Sequence, residues 1–201
     1  MLAQLAGRLV AWQMKRGILK KEDQALYQYA YELLLNQGIN IAAAILIAVL
    51  FKMPWVVLTF LVAYIPLRSY AGGYHANTNW GCTVVSALML CLACTVVRFA
   101  EGYSTYGWCV GFAVSGIFIF LLSPVEDFNK PLSEEEVIHY RRMSRILWTV
   151  EALTGTALCF WNSTIGITLS FSHFFLALIL CLGMLKNKWL LWKTKETKIR
   201  K

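Results

Sequence analysis

The chain has 201 residues, of which 58% are hydrophobic and 15% are charged, with a formal net charge of +8. Soluble domains carry about 25% charged residues, and a soluble protein of this length cannot bury so much apolar surface. The composition therefore excludes a soluble enzyme, a disordered chain and a secreted disulfide scaffold. It predicts an all-α, polytopic integral membrane protein of one domain. Nucleic-acid binding is not expected, because no basic run is interleaved with an aromatic surface.

The N-terminal segment has the pattern of an amphipathic helix rather than of a signal peptide. Its apolar residues recur at helical spacing, with polar residues between them: Leu2, Leu5, Leu9 and, less regularly, Trp12. We expect this helix to lie on the inner leaflet of the membrane. A second short helix is expected to begin near Glu22 or Asp23 and to continue into the first span.

Six apolar stretches are near the length that a bilayer core requires. They are Leu33–Phe51, Met53–Leu67, Gly81–Val97, Tyr106–Leu122, Ile146–Ile167 and Phe171–Leu185. The chain accordingly divides into amphipathic segment 1–32, six-span bundle 33–185 and basic tail 186–201. Pro66 predicts that the second span kinks or stops just before Arg68.

The distribution of basic residues predicts the orientation in the membrane. With six spans, seventeen of the nineteen Lys and Arg residues fall on the side of both termini, and Lys52 and Arg98 lie opposite. Because cytoplasmic loops carry the excess of Lys and Arg, both termini are expected in the cytoplasm.

The polar segment between the second and third spans carries the candidate nucleophile. Its glycine pair and Asn/Thr run predict a loop that holds His75, followed by a helix that begins near Asn79. Cys82 would then lie in the first turn of that helix, where unpaired N–H groups and the helix dipole favour a thiolate. A neighbouring imidazole would complete an activated nucleophile. Gly72 and Gly73 would let an extended peptide substrate approach the backbone closely.

A cysteine and a histidine seven positions apart also occur by chance, so a structural role for the pair stays open. The setting at the mouth of a bundle, beside two glycines and the lone Arg68, favours catalysis. The other five cysteines are expected to be packing residues, because none has a zinc-type ligand pattern. They are Cys91, Cys94, Cys109, Cys159 and Cys181. We expect neither a metal nor a cofactor.

Polar residues in or near the spans are expected to have a functional or structural role, because their burial in a bilayer is costly. Glu32 and Asn36 lie one helical turn apart at the cytoplasmic start of the first span, and Glu151 lies about one turn into the fifth. Each could orient the imidazole or hold the lone arginine, or could make a structural contact. We favour function for Glu32 and leave Glu151 open. His173 is expected at the membrane interface, at the outer end of the sixth span.

The loop after the fourth span has two parts. Ser133 and Glu136 form a capping-box pattern, which predicts a cytoplasmic helix from about Glu134 that continues into the fifth span. Before it, the Asn-Lys-Pro sequence at 129–131 predicts a turn. This turn is either a structural hinge or a loop that contacts the substrate, with Lys130 as a charge anchor.

Three blocks of the sequence, in order, resemble the accessory gene regulator protein B (AgrB) family. They are Glu32-x-x-x-Asn36, then Arg68-x-x-Ala71-Gly72-Gly73-Tyr74-His75-Ala76-x₅-Cys82, then Pro124-x-Glu126-x-x-Asn129-Lys130-Pro131-Leu132. The resemblance covers essentially the whole chain.

This resemblance implies a cysteine endopeptidase of Gram-positive quorum sensing, in the bacterial cell membrane, with its active site at the cytoplasmic face. Its substrate would be a short AgrD-like precursor peptide with an amphipathic leader and an acidic C-terminal tail. By resemblance, Cys82 attacks the bond before the tail and His75 is the general base. The resulting thioester would be attacked by an internal Cys or Ser of the peptide, which closes a thiolactone or lactone ring. A homodimer is also implied. Residues expected to support the site or bind substrate are Glu32, Asn36, Arg68, Gly72, Gly73 and Lys130.

Two other functions remain alternatives. One is a transporter in which His75, Glu32 and Glu151 form a proton relay, although the sequence shows no inverted repeat. The other is a non-catalytic membrane scaffold that only binds a peptide. Neither alternative needs the Cys82 thiol, so the activity of a Cys82→Ala variant separates both from the peptidase.

Overall fold

The computed structural model describes residues 2–74, 79–100, 105–126 and 132–199. Within these ranges the chain forms seven α-helices and no β-strand, which confirms the predicted all-α class. The helices are α1 (Leu2–Lys15), α2 (Gln24–Phe51), α3 (Pro54–Ala71), α4 (Asn79–Ala100), α5 (Thr105–Leu122), α6 (Glu134–Trp161) and α7 (Ser163–Ile199).

Four helical segments are long and apolar enough to cross a membrane: Lys21–Phe51, Pro54–Ala71, Trp80–Ala100 and Ser163–Lys193. A shorter apolar helix covers Gly107–Leu122. These lengths and compositions are those of a membrane protein. The count of six spans and the position of the termini stay predictions.

The N-terminal helix forms as predicted and lies against α2. Ala6 and Val10 are buried, whereas the larger residues of the predicted apolar stripe, among them Leu9 and Trp12, stay exposed. The stripe is therefore left uncovered by protein, as a helix on a membrane surface requires. After a short 3₁₀ turn, α2 runs unbroken past position 32, and α7 likewise runs past position 185. The two predicted segment boundaries, after positions 32 and 185, thus fall inside continuous helices.

The second span neither stops before Arg68 nor ends at Pro66. Instead α3 passes through Pro66 and ends at Ala71, so the predicted stop before Arg68 is wrong, whereas a kink at Pro66 stays a prediction. One proline removes a single backbone donor, and the following turn remains helical. The helix ends at Gly72, whose φ of 72° lies in the region that favours glycine. Arg68 therefore sits on a helix and not in a loop.

The last two spans are divided at a different place from the one predicted. The capping box of Ser133 and Glu136 starts α6 as expected, but α6 ends at Trp161 and α7 begins at Ser163. The predicted break near 168–170 is wrong, because Thr168 and Ser170 are buried inside the bundle with their hydroxyls bonded to backbone carbonyls. The turn is made by Asn162, whose Oδ1 accepts a hydrogen bond from the Ile165 N–H.

The long helix α7 is the centre of the bundle and packs against α3, α4, α5 and α6. On one side, α2, α3 and α4 pack against one another around a core that includes Phe60 and Met89. On the other, α5 and α6 pack together on α7. The first of these two groups holds the candidate site.

Candidate active site

A cavity of about 300 Å³ lies between α2, α3 and α4, and each helix lines it with one face. Cys82, Ser86 and Met89 of α4 are among its lining residues, at the spacing of one helix face. Cys82 lies in the first turn of α4, as predicted, and is exposed. The thiol is therefore open to solvent while it borders an interior space.

Arg68 of α3 faces the same cavity. Its Nη2 donates a hydrogen bond of 2.5 Å to the carbonyl oxygen of Tyr74. Its Nη1 is buried and has no hydrogen-bond partner among the residues that the structure describes. The Tyr64 hydroxyl and the Cys82 thiol are close enough to the guanidinium to interact with it electrostatically. Arg68 thus holds the loop with Nη2, and its Nη1 lies 3.0 Å from the position that a Cβ atom of Gly73 would take.

The third wall carries two polar residues that the sequence analysis missed, Gln37 and Asn40 of α2. The side-chain oxygen of Asn40 is buried and, within the described part of the chain, accepts no hydrogen bond. The signal that could have found them is their spacing of three inside an apolar stretch, which puts both amides on one helix face.

The loop after α3 is held in place by the chain's own backbone. The Gly73 N–H donates to the Val125 carbonyl at 2.9 Å, and the Val125 N–H donates to the Ala71 carbonyl at 2.9 Å. A Cβ atom at Gly72 would lie 2.1 Å from the Val125 oxygen, so no other residue fits. Val125 of the chain itself makes the close approach that the glycines permit. Contact of a substrate with the backbone at this point stays a prediction.

A further glycine, Gly183 of α7, lies against the same loop. A Cβ atom there would lie 2.6 Å from the Tyr74 nitrogen. The Tyr74 N–H donates to the Ile179 carbonyl at 3.0 Å, and the Lys186 ammonium lies 5.0 Å from the centre of the Tyr74 ring. Tyr74, the residue before His75, is therefore fixed against α7 while it lines the cavity.

Of the remaining predicted site residues that the structure describes, Glu32 and Asn36 do not line this cavity. Glu32 accepts a hydrogen bond of 3.3 Å from Gln28, and Asn36 lines a small pocket beside Trp80 and Thr83 at the start of α4. His75 and Lys130 lie outside the described residues.

Glu126 makes two hydrogen bonds near the start of α6. Its carboxylate accepts a hydrogen bond from the Leu132 N–H at 3.1 Å, and its carbonyl accepts one from Asn187 at 2.8 Å. Glu126, a residue of the third sequence block, therefore ties both edges of segment 127–131 to the bundle.

Glu151 and His173 form a pair of their own, which corrects the expectation for His173 and matches the structural alternative left open for Glu151. Glu151 Oε2 lies 3.0 Å from His173 Nε2, and His173 is fully buried rather than interfacial. His173 Nδ1 donates to the Leu169 carbonyl at 2.7 Å. Glu151 lies ten positions before the end of α6, and His173 lies ten positions after the start of α7. At 1.5 Å per residue, each is about 15 Å from the turn, so the two side chains meet at the same depth. His173 was misplaced because the turn was misplaced.

The fold and the cavity define an all-α membrane protein with an accessible thiol at the edge of an interior space. The family model described as Accessory gene regulator B matches residues 5–191, and the chain therefore belongs to the AgrB family. Membership implies a role in the accessory gene regulator system, a quorum-sensing system.

Curated relatives agree with this assignment. An AgrB-like protein of Listeria monocytogenes serovar 1/2a is 29% identical over 145 residues, covering 69% of this chain and 68% of the relative. One from Listeria innocua serovar 6a is 29% identical over 145 residues with the same coverage. One from Clostridium perfringens is 26% identical over 121 residues, covering 57% of this chain and 56% of the relative. No solved structure matches the chain.

Proposed function

We propose that this protein is a membrane cysteine endopeptidase that removes the acidic C-terminal tail of a short precursor peptide and promotes ring closure of the remainder. The observation that carries the proposal is the position of Cys82, exposed in the first turn of α4 and bordering a cavity that Arg68 also lines. A thiol that only fills space would be buried in the bundle, as Cys94 and Cys159 are.

The chemistry begins with proton transfer from Cys82 to His75. The thiolate attacks the carbonyl carbon before the tail, and the oxyanion is stabilised by backbone N–H groups at the start of α4 or by Arg68. The C–N bond then breaks, and the tail leaves as an amine that takes the proton from the imidazolium. The signal segment stays on Cys82 as a thioester. An internal thiol or hydroxyl of the peptide attacks this thioester, closes the ring and returns the thiol of Cys82.

Charge and orientation fit such a substrate. Lys186 lies over Tyr74 beside the cavity, and further basic residues follow it on α7, so an acidic tail is attracted to this end of the bundle. With six spans and both termini in the cytoplasm, this end faces the compartment in which an unprocessed peptide is made. Lys130 is proposed as a charge anchor for the substrate, and a homodimer is proposed as the functional unit.

The test is incubation of the purified protein, in lipid, with the candidate precursor peptide, followed by mass spectrometry of the peptide. Wild type should release the tail, and Cys82→Ala and His75→Ala should not. Cys181→Ala is the matched control, because Cys181 is a partly buried cysteine outside the cavity lining, and it should cleave as wild type does. Unchanged cleavage by Cys82→Ala would mean that the thiol is structural and that a different group acts.

A further inference from the structure

The cavity extends well beyond the thiol and changes character along its length. From Cys82 to Leu90, α4 rises about 12 Å, and α3 rises about as far from Arg68 back to Phe60. The end with Arg68 and Cys82 is polar. The other end is lined by apolar side chains: Ala44, Phe60, Met89 and Leu90. A ligand that fills this space must therefore have a polar part near the thiol and an apolar part farther in.

Two buried atoms that lack hydrogen-bond partners in the described residues indicate which chemical groups that polar part of the ligand should carry. Arg68 Nη1 is a donor and the Asn40 side-chain oxygen is an acceptor; both are buried, and neither has a partner in the described ranges. Leaving such atoms unpaired costs free energy, so a ligand that brings one acceptor and one donor is favoured. A peptide backbone offers a carbonyl oxygen and an N–H group within one residue.

We propose that this cavity is the binding subsite for a large apolar side chain of the substrate residue whose carbonyl Cys82 attacks. The inference rests on the proposed function and specifies its substrate. Nucleophilic attack fixes that carbonyl at Sγ, so the side chain on the adjacent Cα is the part of the substrate best able to enter a cavity that begins at the thiol. A volume of about 300 Å³ is at the lower limit of ligand pockets and suits one side chain.

Chloromethyl ketones test the subsite without requiring cleavage. The Cys82 thiolate displaces chloride and forms a carbon–sulfur bond, which places the reagent's side chain where the substrate's would lie. The reagents are the chloromethyl ketones of acetyl-glycine, acetyl-leucine and acetyl-phenylalanine. The measured quantity is the second-order rate at which the Cys82-containing peptide gains the reagent mass, with the protein in lipid bilayers.

Wild type should react with the leucine and phenylalanine reagents about tenfold or more faster than with the glycine reagent, the lower range expected for burying such a side chain. Ala44→Phe fills the apolar end, because Ala44 is 4% exposed and lines the cavity. It should bring this ratio to about one while the glycine rate changes little. Ala42→Phe, on the exposed side of the same helix, is the matched control and should keep the wild-type ratio.

Two more variants keep the test decisive. Ser86→Leu narrows the cavity from a partly buried position and should lower the ratio even if Ala44→Phe does not fold. Asn40→Leu removes the acceptor and should slow all three reagents while leaving a preference for the larger side chains.

Equal rates for the three reagents in wild type would overturn the proposal, as would a preference that survives both cavity-filling variants. Equal rates that are slower in bilayers than in lipid-free detergent would assign the cavity to a lipid chain instead. Because the reagents only alkylate the thiol, their selectivity is measurable even if Cys82→Ala still cleaves the precursor, so the two proposals fail separately.

Discussion

Two regions of this molecule bury polar groups inside an apolar bundle, and they treat them in opposite ways. Between α6 and α7, Glu151 and His173 face each other at 3.0 Å, and the second nitrogen of the imidazole is bonded to a carbonyl. Between α2, α3 and α4, Arg68 and Asn40 line a cavity, and each has a buried side-chain atom without a hydrogen-bond partner in the described part of the chain. An ionisable residue within a membrane span is commonly taken as a functional group. Here the buried atoms of Arg68 and Asn40 beside the cavity, and not the contact between Glu151 and His173, mark the candidate site.

The largest expected effect breaks the paired region. Glu151→Leu leaves the buried His173 without its carboxylate and should lower the free energy of unfolding by about 1–3 kcal/mol, because a buried polar group remains without a partner. Glu151→Leu combined with His173→Leu should recover most of this loss, since an apolar pair of similar volume avoids the penalty. Denaturant unfolding in detergent measures both.

The same double variant also tests the comparison itself. If the pair is structural, the double variant should cleave the precursor within about threefold of the wild-type rate. A double variant that folds and does not cleave would place Glu151 and His173 in the functional machinery.

In the unpaired region, Arg68→Met should reduce kcat/KM for precursor cleavage by about a hundredfold, because it removes a charged donor beside Cys82 and frees the Tyr74 carbonyl. The matched control is Arg98→Met. Arg98 also donates to a backbone carbonyl, that of Phe51, at 3.0 Å, but its bond is exposed and it does not line the cavity. A similar loss in both variants would show that Arg68 contributes only to helix packing.

Gly183→Ala should lower the cleavage rate by about tenfold or more and should also destabilise the fold, because its Cβ would meet the Gly73 and Tyr74 backbone and a small shift in a site is costly. Gly38→Ala is the control, since a Cβ at Gly38 meets no atom within 4 Å. Equal activity of the two variants would mean that the position of the Tyr74 loop on α7 has no part in the reaction.

The smallest effect is expected at the turn between α6 and α7. Asn162→Ala removes the side-chain acceptor for the Ile165 N–H and should destabilise the fold by about 1 kcal/mol without altering cleavage. Asn162→Ser retains a capping oxygen and should keep most of the stability. A larger loss in the serine variant than in the alanine variant would contradict the capping role.

The sequence was sufficient to predict the helical class and the position of Cys82 in the first turn of a helix. Amphipathic spacing, a capping box and a glycine pair are local signals, so they can be recognised without knowledge of the packing. The sequence failed where the outcome depends on packing. Thr168 and Ser170 are polar residues of the kind found at a helix break, yet α7 continues through them. The Thr168 hydroxyl donates to the Thr164 carbonyl of the same helix, and the Ser170 hydroxyl donates to the Trp108 carbonyl of α5. His173 and Glu151 could be placed only once the true turn at Asn162 was known. Gln37, Asn40 and Gly183 were missed because a sequence does not say which helix face borders a cavity.

The central claim, a thioester on Cys82, is tested most directly by the intact mass of the protein after rapid acid quenching during turnover. We predict an added mass equal to the precursor without its tail, attached to Cys82, absent from Cys82→Ala and released by neutral hydroxylamine. The adduct should also accumulate when the internal nucleophile of the peptide is replaced by alanine, because ring closure is then blocked. Tail release from wild type and from Cys82→Ala alike, with no adduct in either, would contradict the account.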